Sequence, residues 1–228
     1  MALAGKALVA IWNDILPEMR EDFFEWHPRE HMVERLAIPG FLRGRRCISV
    51  DGGVEFLTLY EIRGGEVLTS DIYKQRLTNP TPWSTKTLPA FRSNVRGACQ
   101  IEFSDGYAMG GHILTLRFEA QDAREEALFA GLVKDVMPQL TALPRITGAH
   151  FVKNDVSLTG GNAGNQRGRT ISLPQLIVLI EGSDGQAVRA AGETFLGNAQ
   201  LEALGAKPDV IRSLYQLEYS IQNLANGN

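Results

Sequence analysis

Val95-Arg96-Gly97-Ala98-Cys99-Gln100-Ile101-Glu102-Phe103 and Ile211-Arg212-Ser213-Leu214-Tyr215-Gln216-Leu217-Glu218-Tyr219 align without a gap. Arg, Gln and Glu recur at the same places, and Phe103 is exchanged for Tyr219. Apolar alternation alone makes any two amphipathic strands look alike. Three coincident polar residues in one window do not follow from alternation, so the two stretches read as the closing strands of a duplicated unit. Leu59-Tyr60-Glu61 lies likewise over Leu179-Ile180-Glu181, and Gly44 over Gly148 after proline-marked helix ends at Pro39 and Pro144.

Outward from these strands the element order repeats. Residues 6–13 read as a strand apolar on both faces, and 17–36 as a helix with Phe23, Trp26, Val33 and Leu36 among its apolar positions. Ile38-Pro39-Gly40 stops that helix. Residues 41–50 and 54–62 form a hairpin turned at Asp51-Gly52-Gly53. A helix over 66–75 follows, then a break at Asn79-Pro80-Thr81-Pro82-Trp83, a short helix over 88–93 and a strand over 95–103. From His112 the same β-α-β-β-α-β order recurs: strands at 112–119, 145–152, 175–181 and 209–222, helices at 123–143 and 186–204. The expected fold is α+β: two ferredoxin-like repeats, residues 1–108 and 109–228, the second with a Gly-rich insertion at about 155–173. The strands are apolar on both faces, so both want burial. Two such sheets packed against each other satisfy this and are expected to enclose a ligand cavity.

Composition narrows the function classes. A charged fraction of 21% and a hydrophobic fraction of 44% describe an ordinary globular chain. A net charge of -3 lacks the basic excess that phosphate neutralisation demands, so no nucleic-acid partner is expected. No apolar run approaches the ~18 residues that span a bilayer, so no membrane partner is expected either. Cys47 and Cys99 lie in strand-like runs without CxxC spacing and read as free buried thiols. The N-terminal apolar run is short and followed by Asp14 and Glu18, which favours an opening strand over a signal peptide, with the cytoplasm as the expected location.

The residues able to carry chemistry cluster in the first half. His27-Pro28-Arg29-Glu30-His31 matches the H-x-x-E-H pattern of inverted zinc peptidases. Pro28 disfavours helical backbone at His27, and no third ligand is evident, so no metal is expected. His31 with Glu34 and Arg35 one turn on, and His27 nearby, has the composition of an acid–base group with its orienting partners. The alternative is a solvated helix face with surface ion pairs. Arg43 and Arg45 share one strand face and Arg46 takes the other; an arginine pointing inward needs Glu55, Glu61 or a bound carboxylate or phenolate as partner. His150 falls opposite Arg46 in the repeat alignment. Trp26, Tyr60 and Trp83 are candidate pocket walls, and equally core residues. The loop Gly160–Arg169 lacks the P-loop spacing and lysine, no βαβ unit surrounds it, and no G-x-S-x-G elbow is present.

The run Trp26-His27-Pro28-Arg29-Glu30-His31-Met32-Val33-Glu34-Arg35-Leu36-Ala37-Ile38-Pro39-Gly40-Phe41 resembles the dimeric α+β barrel superfamily, in its EthD-like and cofactor-independent monooxygenase branches. There a helical Trp and a nearby His precede a Pro-Gly-Phe strand entry. The resemblance implies a small-molecule enzyme without a cofactor, of lyase, isomerase or oxygenase type, acting on a small aromatic or apolar metabolite. His31 would be the acid or base, with Glu34, His27 or Arg35 orienting it; Trp26, Tyr60, Trp83, Arg46 and His150 would bind substrate. A non-catalytic ligand-binding module of the same fold is the alternative; haem enzymes also occur in the superfamily, but no axial histidine stands out. A homodimer is a further expectation.

Overall fold

The computed structural model describes residues 3–159 and 174–223, so the glycine loop lies outside the described residues. Eight strands carry the fold: β1 (Ala7–Ile15), β2 (Phe41–Ser49), β3 (Phe56–Ile62), β4 (Phe91–Gly106), β5 (His112–Phe118), β6 (Ile146–Asn154), β7 (Leu176–Gly182) and β8 (Ile211–Gln222). They close into a barrel in the order β1-β3-β2-β8-β5-β7-β6-β4. Each half contributes one four-stranded sheet, β4-β1-β3-β2 or β8-β5-β7-β6. The sheets join at both edges, where β2 pairs β8 and β4 pairs β6.

The duplication holds at residue level. Leu8 pairs Glu61 as Ile113 pairs Glu181, and Ala7 pairs Gln100 as His112 pairs Gln216. The nine-residue register of the closing strands is therefore structural. One equivalence needs correcting. Each half has the same bulge at its hairpin entry, between Phe41 and Arg43 and between Ile146 and Gly148, so Arg43 lies over Gly148 and Gly44 over Ala149. His150 is consequently the counterpart of Arg45, not of Arg46.

In the first half the helical layer comprises α1 (Arg20–Trp26), a wide π turn (His27–His31), α2 (Met32–Leu36), α3 (Asp71–Thr78) and α4 (Pro82–Thr87). The second carries α5 (Glu125–Gly131), another π turn (Leu132–Val136), α6 (Met137–Leu140), α7 (Gly185–Leu196) and α8 (Asn198–Leu204). The Met32 N–H donates to His27 O across the first π turn, as the Met137 N–H does to Leu132 O across the second. The wide turn thus occurs with and without a proline inside it. Pro28 is accommodated by the turn instead of breaking the helix, and His27 keeps helical backbone angles. The short helix expected over 88–93 starts earlier, at Pro82, where a proline suits the first helical position and the Thr81 hydroxyl accepts from the Ser84 N–H.

Every residue of β3 and β7 is buried, as strands apolar on both faces require. Leu8, Ala10, Trp12, Leu57, Leu59, Ile177 and Leu179 pack inside the barrel. The outer faces pack under the helices, in one cluster around Met32, Leu36, Phe41 and Tyr60 and another around Leu128, Leu132 and Met137. Between the two sheets, apolar side chains pack around a charged cluster. The pocket lies on the opposite face of the first sheet.

Candidate active site

Alternation in β1 and β3 turns Val9, Ile11, Asn13, Thr58 and Tyr60 outward, towards the helices. There they meet His27, His31 and Arg35 from the α1–α2 segment, Tyr73 from α3, and Asn94 and Arg96 from β4. These residues line a cavity of about 60 Å³. Drug-sized ligand pockets are roughly 300–1,000 Å³, so this chamber by itself holds only a small group. A groove of about 650 Å³ adjoins it and shares Leu88, Phe91 and Asn94 as its wall.

His27 is buried, with Nδ1 2.6 Å from the Tyr219 hydroxyl. Burial first, and then the Arg46 guanidinium, holds its pKa well below the usual histidine value, so the ring is neutral at pH 7. Burial pushes the Tyr219 phenol up despite Arg46 beside it, so it keeps its proton. Arg46 itself pairs with Glu218 at 2.7 Å and lies 4.7 Å from the Tyr219 ring. It stands behind His27 and does not line the cavity.

His31 lines the chamber and stacks on Trp26 with centroids 4.4 Å apart. Trp26 Nε1 donates to Glu30 Oε1 (3.1 Å) and Ser84 Oγ (3.2 Å), which fixes the indole as a backing plate for the imidazole. The Thr81 hydroxyl donates to the same Glu30 oxygen at 2.6 Å. Tyr60 is buried, and neither its hydroxyl nor Thr58 Oγ1 nor Asn94 Oδ1 has a protein partner among the described residues. Arg96 donates to the Tyr73 hydroxyl at 3.0 Å, and Arg35 lies 5.9 Å from the same ring. Neither arginine has a carboxylate partner among the described residues, and no carboxylate lines the chamber. The chamber therefore favours an anion.

Other expected site residues lie elsewhere. Glu34 pairs with Arg76 at 3.5 Å and does not line the chamber. Trp83 packs against the cluster of Ile15, Phe23, Trp26 and Phe56, outside the chamber wall. His150 is inside the barrel, across the sheet from the pocket. There Arg45 lies 3.1 Å from Glu61 and 2.8 Å from Glu181, Arg43 pairs with Glu61 at 2.7 Å, and His150 Nε2 is 3.4 Å from Glu181. Glu61 is thus the inward arginine partner, whereas Glu55 pairs with Arg20 on the outside. Burial alone would raise the Glu181 carboxyl; Arg45, with His150 and the Gly110 N–H, more than reverses this and brings it down to about 2.

The second half provides an internal comparison. Aligned on the π turn, His27, His31 and Arg35 correspond to Leu132, Val136 and Leu140. Aligned on the ladders, Asn13, Thr58, Tyr60 and Asn94 correspond to Phe118, Val178, Ile180 and Val210. All seven replacements belong to the apolar core of that half. Asn13, Thr58, Asn94 and Arg96 were not singled out in the sequence as site residues. Tyr219 announces itself as the Phe103 exchange in the repeated strand.

No protein-family model matches the chain, and no curated protein matches its sequence. Its solved structural neighbours include an anthrone oxidase-like protein, 14% identical over 96% of this chain and 95% of that one, with a TM-score of 0.64. A provisionally named monooxygenase from Lactobacillus acidophilus NCFM is 13% identical over 95% and 96%, at 0.60. A protein provisionally named a chlorite dismutase is 11% identical over 93% and 94%, at 0.56. The likeness is one of fold. It spans nearly the whole of each chain, so the neighbours share the dimeric α+β barrel closed within one polypeptide. Among the described residues no helix is long and apolar enough to cross a membrane.

Proposed function

We propose that the chain is a small-molecule enzyme whose first-half pocket performs acid–base chemistry, without a cofactor, on a small aromatic or apolar metabolite that becomes anionic as it reacts. The observation that carries this reading is the exchange of seven pocket positions for hydrocarbon in the sister half. Burying polar groups without partners costs free energy, and the second half shows that the fold does not need them there. In this reading His31 takes a proton from a substrate O–H or C–H bond. The electron pair left behind is stabilised by Arg35 and Arg96, and the Tyr60 hydroxyl donates to the developing anion. Neutral His27, locked to Tyr219, orients the substrate at the chamber floor. An anion of this kind is the reactive species of cofactor-free oxygenases as well as of isomerases and lyases. The neighbours named as an anthrone oxidase-like protein and a monooxygenase favour the oxygenase branch by analogy of fold.

The test is turnover and oxygen uptake on a panel of phenols, anthrones and enolisable ketones with wild-type and His31→Ala protein of equal helicity. Loss of general acid–base catalysis lowers turnover by roughly 10²–10⁴-fold. Equal rates for the two proteins would remove His31 from this role.

A further inference from the structure

The chamber and the adjoining groove divide the pocket into two unlike compartments. The inner one, about 60 Å³, has the liquid volume of roughly two water molecules. It holds a head group of a few atoms and no ring. Its polar lining is cationic or neutral: among the described residues, Arg35 and Arg96 lack carboxylate partners and the buried hydroxyls of Tyr60 and Thr58 lack hydrogen-bond partners. The outer one, about 650 Å³, is walled by Pro80, Leu88, Pro89 and Phe91 together with the polar Thr85, Arg92, Ser93 and Asn94, and is large enough for a fused ring system. Leu88, Phe91 and Asn94 line both. Ser93, in the same wall, has a φ of 48°, a left-handed backbone that a residue other than glycine holds only when its surroundings impose it.

Resting on the reading above and naming its substrate class, we infer that the site takes an aryl acid: a planar apolar body in the outer groove and a small anionic head, a carboxylate or an acidic phenolate, between Arg35 and Arg96. The chemistry is complementary at both ends. The guanidiniums gain the counter-charge that neither finds among the described residues, and the prolines with Phe91 cover the ring faces. Leu88 acts as the collar between the two compartments.

Calorimetric titration with 2-naphthoate, its neutral isostere 2-naphthamide, and acetate tests this. The acid is expected to bind at least about tenfold tighter than the amide. Arg96→Met and Arg35→Met should each erase most of that preference, whereas Arg96→Lys should keep part of it. Thermal melts identify any arginine variant that has lost its fold, and the Lys variant then supplies the comparison. Leu88→Trp, which fills the collar, should weaken 2-naphthoate about tenfold and leave acetate within about twofold. Equal binding of acid and amide, no binding of either, or indifference to both arginine changes would overturn the inference. Aryl-acid binding without turnover of any panel substrate would leave it standing and remove the enzyme; turnover of neutral aromatics that needs His31 but ignores both arginines would overturn it, with the arginines' part in the reaction, and leave the role of His31 standing.

Discussion

Replacing Glu181 by Gln in the barrel interior separates the charged cluster from simple packing, because amide and carboxylate have nearly the same volume. The Glu181 carboxyl titrates at about 2 in the folded chain against an ordinary value of 4.5. At about 1.4 kcal/mol per unit, that difference is worth about 3 kcal/mol of folding stability at neutral pH. An independent route reaches a similar figure. Removing one partner of a buried ion pair costs roughly 3–5 kcal/mol, and the lower end applies because Glu61 still faces Arg45 at 3.1 Å. Urea unfolding of wild type and Glu181→Gln at pH 7 should therefore differ by about 3 kcal/mol. Because the folded carboxyl is depressed, its contribution is complete above about pH 4.5 and is lost as pH falls towards 2. The gap between the two proteins should accordingly narrow between pH 5 and pH 3. A gap that stays constant over this window, or a Gln variant as stable as wild type at pH 7, would refute the electrostatic account of the interior.

Two further outcomes concern backbone and thiols. Gly5 and Gly110 stand just before the opening strands of the two halves, where an added Cβ would collide with Ile62 O and Gly182 N respectively. Gly5→Ala and Gly110→Ala should each lower stability by about 2–3 kcal/mol in urea melts, with near-neutral variants arguing against close approach at these sites. Burial pushes the Cys47 and Cys99 thiols up to about 12, which leaves a thiolate fraction near 10⁻⁴ at pH 8. Ellman's reagent should modify the native protein only at its unfolding rate and the urea-unfolded protein at once; immediate labelling of the native form would contradict the buried setting.

Much of the architecture was legible because it is written in polar residues that strand alternation does not demand. Arg96, Gln100 and Glu102 against Arg212, Gln216 and Glu218 established the repeat, and the ladders reproduce that register. The hairpin entry misled by one residue, since a bulge adds a position that no spacing announces; Gly44 was set over Gly148 and His150 over Arg46 for that reason. The location of the pocket was illegible for a different reason. Strands apolar on both faces say that both faces are covered, but not which covering leaves space. His27, His31 and Arg35 are legible through the H-x-x-E-H run and its neighbours, and Tyr60 as a strand aromatic; the structure brings the four to one chamber. Thr58, Asn94 and Arg96 come from elements distant in sequence, and only the pairing of β3 and β4 on either side of β1 reveals that they face the same chamber.

The closed barrel has a consequence for how its interior can change. When two identical chains form such a barrel, every substitution near the pseudo-twofold axis appears twice, so a cation introduced at one site meets its own copy. Here the two halves are encoded separately, and Arg45 stands where its counterpart is His150. One guanidinium spans both Glu61 and Glu181, and a weaker base occupies the mirrored place, a charge arrangement that a symmetric pair cannot adopt. The same freedom allows one half to hold a polar pocket where the other packs hydrocarbon, because a substitution in either half is not copied into the other.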